Sequence, residues 1–204
     1  MESLKTAIRR NLKDAERVAV LAIGSPLRGD DAAGLQVAGQ LRRIRTQARD
    51  GVGRAILPDH SAIGRPAARD GAGRAILPDR GLIARATHSA LRIFLGETAP
   101  ENLTGEIRKF RPTHLVILDA ADSGGKRPGR ITLIQHARLR GSSSISTHNM
   151  PVNILIQYLR QSVPCKVLIL GIQPKSREYG RPLSAPVKKA VQRAAAALAA
   201  SLGA

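Results

Sequence analysis

Gly24-Ser25-Pro26-Leu27-Arg28-Gly29-Asp30-Asp31 places two adjacent carboxylates directly after an apolar run, residues 18–23. A helical pattern of Val37, Leu41 and Ile44 follows. In a parallel sheet, ligands collect just past the carboxyl ends of strands at such strand–turn–helix junctions. Adjacent acids there suit a positive charge, either a metal ion or a cationic group. A second acidic pair, Asp119 and Asp122, follows another apolar run, residues 114–118. His148 opens a further helical pattern with Val152, Leu155, Ile156 and Leu159 on one face. If the two strands are parallel neighbours, both acidic pairs share one edge of the sheet, and a loop can return His148 to it. Carboxylates with an imidazole form a hard-to-borderline ligand set that suits nickel, zinc, iron or manganese.

Other readings compete. Residues 24–29 have the Gly-x4-Gly frame of a phosphate loop, but Asp30 and Asp31 stand where Lys and Ser/Thr belong, and carboxylates repel phosphate. As plain structure, Asp30 and Asp31 suit the positive end of a helix dipole, His148 suits a capping or packing position, and Asp119 suits a strand end. A Ser-His-Asp triad has serines at hand in residues 142–146, yet no Gly-x-Ser-x-Gly elbow exists in the chain. Cys165, the only cysteine, precedes a strand at the end of the sheet away from the acids. A buried structural thiol is expected there.

The elements that position these residues alternate in type. Residues 4–17 read as an amphipathic helix with Leu4, Ile8 and Leu12 on one stripe. Strands are expected at 18–23, 90–95, 114–118, 130–134 and 166–170. Helices are expected from Asp31 to a fading end near Arg45, over 103–110, after Pro151, and after Ser184. Ser184 is expected to cap that last helix, with Pro186 in its first turn. The alternation predicts an α/β fold, a three-layer sandwich whose mostly parallel, twisted sheet is flanked by helices.

Residues 47–89 differ from the rest. The stretch from Arg49 to Asp59 recurs from Arg69 to Asp79 with one difference, Val52 against Ala72. Two copies are too few for a solenoid. The segment reads as a duplicated, irregular insertion in a single domain spanning residues 1–204, and its neighbourhood holds His60 and His88 in no ligand-like spacing.

The chain of 204 residues is 43% hydrophobic but only 2% aromatic, so its core is aliphatic. A net charge of +18 favours acidic partners. Against nucleic acid, Phe94, Phe110, Tyr158 and Tyr179 are the only aromatics and provide no base-stacking platform. A solvated basic surface is the preferred reading. No apolar run is long enough to span a membrane, so no membrane insertion is expected. Residues 1–17 lack a signal-peptide apolar region, and the single cysteine fits a reducing compartment. The expected location is the cytoplasm.

Five pieces, in order, resemble the hydrogenase maturation endopeptidases. They are residues 24–34, Thr98-Ala99-Pro100-Glu101-Asn102, Asp119-Ala120-Ala121-Asp122, Ser146-Thr147-His148-Asn149-Met150-Pro151 and Gly171-Ile172-Gln173-Pro174. The chain is most similar to the branch serving formate-hydrogenlyase-type hydrogenases. The resemblance implies a monomeric twisted-sheet α/β protease that trims the C-terminal tail of a NiFe-hydrogenase large-subunit precursor. It implies Asp31, Asp119 and His148 as the catalytic and metal-site residues. It also implies that the metal is nickel carried by the precursor and contacted transiently as proof of maturation. The chain departs from the family in having Ser25 where Asn is usual, Ala32 where Gly is frequent, and the 47–89 insertion. The competing class is a basic nucleic-acid-binding protein or a metal-dependent scaffold without protease activity. In the protease reading, Asp31, Asp119 and His148 are expected to be exposed and separable from folding. Asp30 is expected to point away from Asp31, and Asp122 to matter less than Asp119.

Overall fold

The computed structural model describes residues 2–55, 90–122, 127–135 and 152–203. Strand β1 (Arg17–Ile23) is an unbroken apolar run, buried from Val18 onward. β3 (His114–Asp119) is buried throughout, and β5 (Lys166–Ile172) is buried from Val167. Burial on both faces belongs to strands covered by helices on either side, as in parallel sheets. With β2 (Ala90–Glu97) and β4 (Ile131–Gln135) they form one five-stranded sheet in the order β2-β1-β3-β5-β4. All neighbours pair in parallel except β4, which runs antiparallel to β5. The expected α/β class with a mostly parallel sheet is therefore borne out, and the antiparallel edge strand is an addition to it.

Alternation along the strands sorts the side chains into two cores. Val18, Val20, Ala22, Val116, Leu118, Leu170 and Ile172 pack with α1 (Leu4–Asn11), α2 (Ala33–Ala55) and α5 (Ala185–Ser201). Ala19, Leu21, Ile23, Leu115, Ile117, Val167 and Ile169 pack with α3 (Thr104–Phe110) and α4 (Val152–Ser162). These are the two helical layers of the sandwich.

Several expected boundaries move. α1 stops at Asn11 rather than running to residue 17, because β1 already begins at Arg17. α2 does not fade at Arg45; it continues to Ala55, so residues 47–55 of the expected irregular insertion are helical. The remainder of the insertion, with His60 and His88, lies outside the described residues.

Gly34, in the first turn of α2, explains how that helix reaches the sheet. A Cβ there would lie 2.6 Å from Ile23 O and would also collide with Leu118 O. The helix thus rests directly on the carboxyl ends of β1 and β3. At the opposite end, His114 is 3% exposed, and its Nδ1 lies 3.1 Å from Thr113 Oγ1. Burial, reinforced by the Lys166 ammonium and opposed by Asp14, holds its pKa below the ordinary value.

Two outcomes follow from this packing. Gly34→Ala gains about 1 kcal/mol of helix propensity. Overpacking against two fixed strand carbonyls costs about 1–3 kcal/mol, so a net loss is expected in urea unfolding, and an unchanged midpoint would contradict the close contact. For His114, the unfolded state binds the proton more readily than the native state, so stability is fully present above the unfolded pKa and falls as the pH drops below about 6.5. Unfolding curves at pH 7.5 and 5.5 should show that loss, and His114→Gln should reduce it.

Candidate active site

In the strand order β2-β1-β3-β5-β4, the chain leaves β1 toward one side of the sheet and leaves β3 toward the other. The carboxyl ends of β1 and β3 therefore flank the topological switch point, where α/β sheets bind ligands. Asp119 is the last residue of β3. Asp30 and Asp31 sit in a 3-10 turn, Gly29–Ala32, between β1 and α2. The expected parallel pairing of the two strands is present, with Ala22 opposite Leu118.

Gly24 makes the turn possible. Its φ is +137°, a conformation that L side chains rarely adopt, and a Cβ there would collide with Asp31 O. Its N–H donates to Glu97 O at 2.9 Å, and the next N–H, of Ser25, donates to Asp31 Oδ2 at 2.8 Å. The turn thus folds back so that Asp31 lies against the end of β1.

The three acids are buried rather than exposed. Asp30 and Asp119 are each 1% accessible and Asp31 is 4%. Asp30 does not point to solvent. Its Oδ1 accepts from Ser184 N at 2.7 Å, and its Oδ2 accepts from Lys175 N at 2.8 Å, Ser176 N at 3.2 Å and Ser184 Oγ at 2.8 Å. Four donors compensate its charge. Ser184 stands at the N-cap of α5 as expected, but its hydroxyl is spent on Asp30 and makes no capping bond. Asp30 N–H also donates to Ser176 O at 3.0 Å. The loop between β5 and α5 is thereby stitched to the turn after β1.

Asp31 has a different neighbour. Arg177 on that loop brings its Nε to 3.7 Å from Asp31 Oδ1, and its Nη2 donates to Ala120 O at 3.0 Å. One guanidinium thus spans the ends of β1 and β3 and brings Asp31 and the Asp119 segment to a common place. Asp122 is exposed, and its Oδ1 accepts from Gln173 Nε2 at 3.3 Å. His148 and the serines at 142–146 lie outside the described residues. Among the described residues no group of three His, Cys, Asp or Glu side chains is close enough to hold a metal ion. Cys165 is buried at the opposite end of the sheet, just before β5, and burial pushes its thiol up in pKa. A protonated thiol is a poor nucleophile, so the expected structural role fits.

Arg177 and the anchoring role of Asp30 escape a reading of the sequence. In a chain with 33 Lys and Arg residues, one arginine in a polar loop carries no distinguishing pattern. Its meaning comes only from the fold.

The sequence profile of the hydrogenase maturation proteases matches residues 82–201. The chain belongs to this family. It is 41% identical over 97 residues to the hydrogenase 3 maturation protease of Escherichia coli K12, a match covering 48% of this chain and 61% of that relative. It is 25% identical over 185 residues to a putative hydrogenase maturation protease of Methanocaldococcus jannaschii, covering 91% of this chain and 88% of that one. Its fold is similar to the crystal structure of a NiFe hydrogenase maturation protease from Thermococcus kodakarensis, with a TM-score of 0.67 at 21% identity, covering 96% and 98% of the two chains. Among the described residues no helix is long and apolar enough to cross a membrane.

Asp30→Ala should be a stability mutation, because Asp30, turned away from Asp31, anchors the loop before α5. It strands three backbone N–H donors, each costing about 1–3 kcal/mol when left unsatisfied. An expected loss of about 3 kcal/mol in urea unfolding follows; a loss within about 0.5 kcal/mol, the range of ordinary surface changes, would refute the anchor.

Proposed function

We propose that the protein is an endopeptidase that removes the C-terminal extension of a NiFe-hydrogenase large-subunit precursor after nickel insertion. The observation that carries this reading is the pair of buried carboxylates, Asp31 and Asp119, on either side of the β1/β3 switch point in a chain of this family. Two carboxylates joined by an imidazole suit a borderline divalent cation, and the proposed cation is the nickel that the precursor itself carries. His148 is proposed as the third group facing it.

In this reading the protein supplies position and proton transfer. Water is the attacking group, since Cys165 lies at the far end of the sheet with a raised pKa. A site carboxylate accepts the proton of the attacking water and returns it to the leaving amine, the general acid–base role. Burial raises the electrostatic weight of Asp31 and Asp119 on the incoming cation, because the surrounding dielectric is low. Asp30 acts on this site only through the loop it anchors.

The test is incubation with nickel-loaded precursor, read as mass loss of the large subunit. Asp31→Ala, Asp119→Ala and His148→Ala should each slow tail removal by about 100-fold or more, the range for a general acid–base group. Because Asp31 and Asp119 are buried, Asp31→Asn and Asp119→Asn accompany them, with folding checked by circular dichroism. Asp122→Ala, at an exposed residue that accepts from Gln173 Nε2, should stay within about tenfold, a loss of about 1.4 kcal/mol in barrier. Wild-type cleavage by a folded Asp31 or His148 variant would end the assignment.

A further inference from the structure

At the end of the sheet away from Asp31, the turn from α3 to β3 and the turn from α4 to β5 border a cleft of about 730 Å³. Small ligands occupy clefts of about 300–1,000 Å³. Arg17, Arg108, Lys109 and Arg111 line it, with Val163 and Pro164 as apolar wall. Among the described residues, no acidic and no aromatic side chain lines it.

These cations are gathered against a cost. Arg111 caps the C-terminus of α3 with φ +50° and ψ +59°, a left-handed conformation in which glycine is the usual residue. Its N–H donates to Ile107 O and Arg108 O, and its carbonyl accepts from Arg17 Nε at 2.8 Å. Carbonyls at the negative end of α3 are thus partly spent, and a second arginine is drawn beside the first. Arg108 Nη1 lies 3.5 Å from the hydroxyl of Tyr158, a neutral partner. Among the described residues, none of the four cations is paired with a carboxylate. Asp14, at this end of the sheet, pairs with Lys166 at 3.2 Å. The helix dipole accounts for Arg108 and Lys109 in the last turn of α3. It does not account for Arg17, which comes from β1, or for an arginine at a glycine position.

We propose that this cleft binds a compact polyanion of linked phosphate groups, either a free polyphosphate or the phosphate end of a nucleotide. Guanidinium forks match phosphate oxygens and hold them with charge-assisted bonds. Linked phosphates set several negative charges in the space where a carboxylate sets one. A nucleic-acid strand calls for aromatic platforms along its groove, which this lining lacks. The cleft and the Asp31–Asp119 edge lie at opposite ends of the strands, so the proposal is independent of the protease reading.

The test titrates inorganic tripolyphosphate into the tag-free full chain by isothermal titration calorimetry at about 0.15 M salt, where distant exposed charges are screened. Arg108→Gln with Lys109→Gln changes exposed positions. Arg111→Gly removes a charge where glycine fits the backbone without steric cost, so both variants keep the fold, which circular dichroism checks. Each should weaken binding by at least about tenfold. Lys188→Gln with Lys189→Gln removes the same charge as the first pair from exposed positions on α5, against the other face of the sheet. That control should stay within about twofold. Cleft variants that bind like the parent, a control that loses as much as they do, or a parent that does not bind overturns the proposal. Equal affinity for a hexaglutamate peptide or a single-stranded oligothymidylate overturns it as well. ADP separates the two sources: tighter binding than tripolyphosphate assigns the cleft to a nucleotide, and weaker binding assigns it to a free polyphosphate.

Discussion

The carboxylate of Asp30 fastens the beginning of the chain to its end. A charge at 1% accessibility survives burial only with compensating donors, and here they come from Lys175, Ser176 and Ser184. Those bonds hold the loop after β5, set where α5 starts, and so fix the helix that closes one face of the sheet. They also place Arg177 against Asp31. The architecture of the site follows from one acid that never touches the proposed substrate.

Two adjacent acids have different duties because of the backbone between them. A 3-10 turn advances about 120° per residue, so Asp30 and Asp31 diverge, one into the loop and one toward the sheet edge. An α-helical turn would separate them by a similar angle, but the helix proper cannot start earlier, since Gly34 already rests on Ile23 O and Leu118 O. The tight approach of α2, the 3-10 turn and the reversed backbone at Gly24 are one packing solution.

Much of this was legible beforehand. Val18 to Ile23 and Leu115 to Leu118 are buried on both sides, and such runs read plainly as strands. The acids at their ends were singled out for the same reason, and the alternation of elements pointed to the α/β class. What escaped was everything decided by contacts distant in sequence. Local reasoning turns Asp30 away from Asp31 but does not say toward what, because its donors lie about 150 positions downstream. The extension of α2 to Ala55 escapes a reading of the sequence because its last turns hold Gly51 and Gly53, which disfavour a helix, and few apolar residues to mark a buried face. Burial of Asp31 and Asp119 could not be read either, since acids are rarely buried and only the fold shows how the two are enclosed.

The order of the sheet has a consequence for synthesis. β3 is central, and one of its partners, β5, is synthesised after β1, β2, β3 and β4. Until it is made, the strand ending in Asp119 has an open edge, and Asp30 has none of its four donors. Domains acquire structure progressively from the amino end during translation, yet this site has no early version. A nascent or truncated chain lacks the loop that carries Arg177 and the residues that shelter Asp30. A chain cut short of that loop lacks both the donors that enclose Asp30 and the guanidinium beside Asp31.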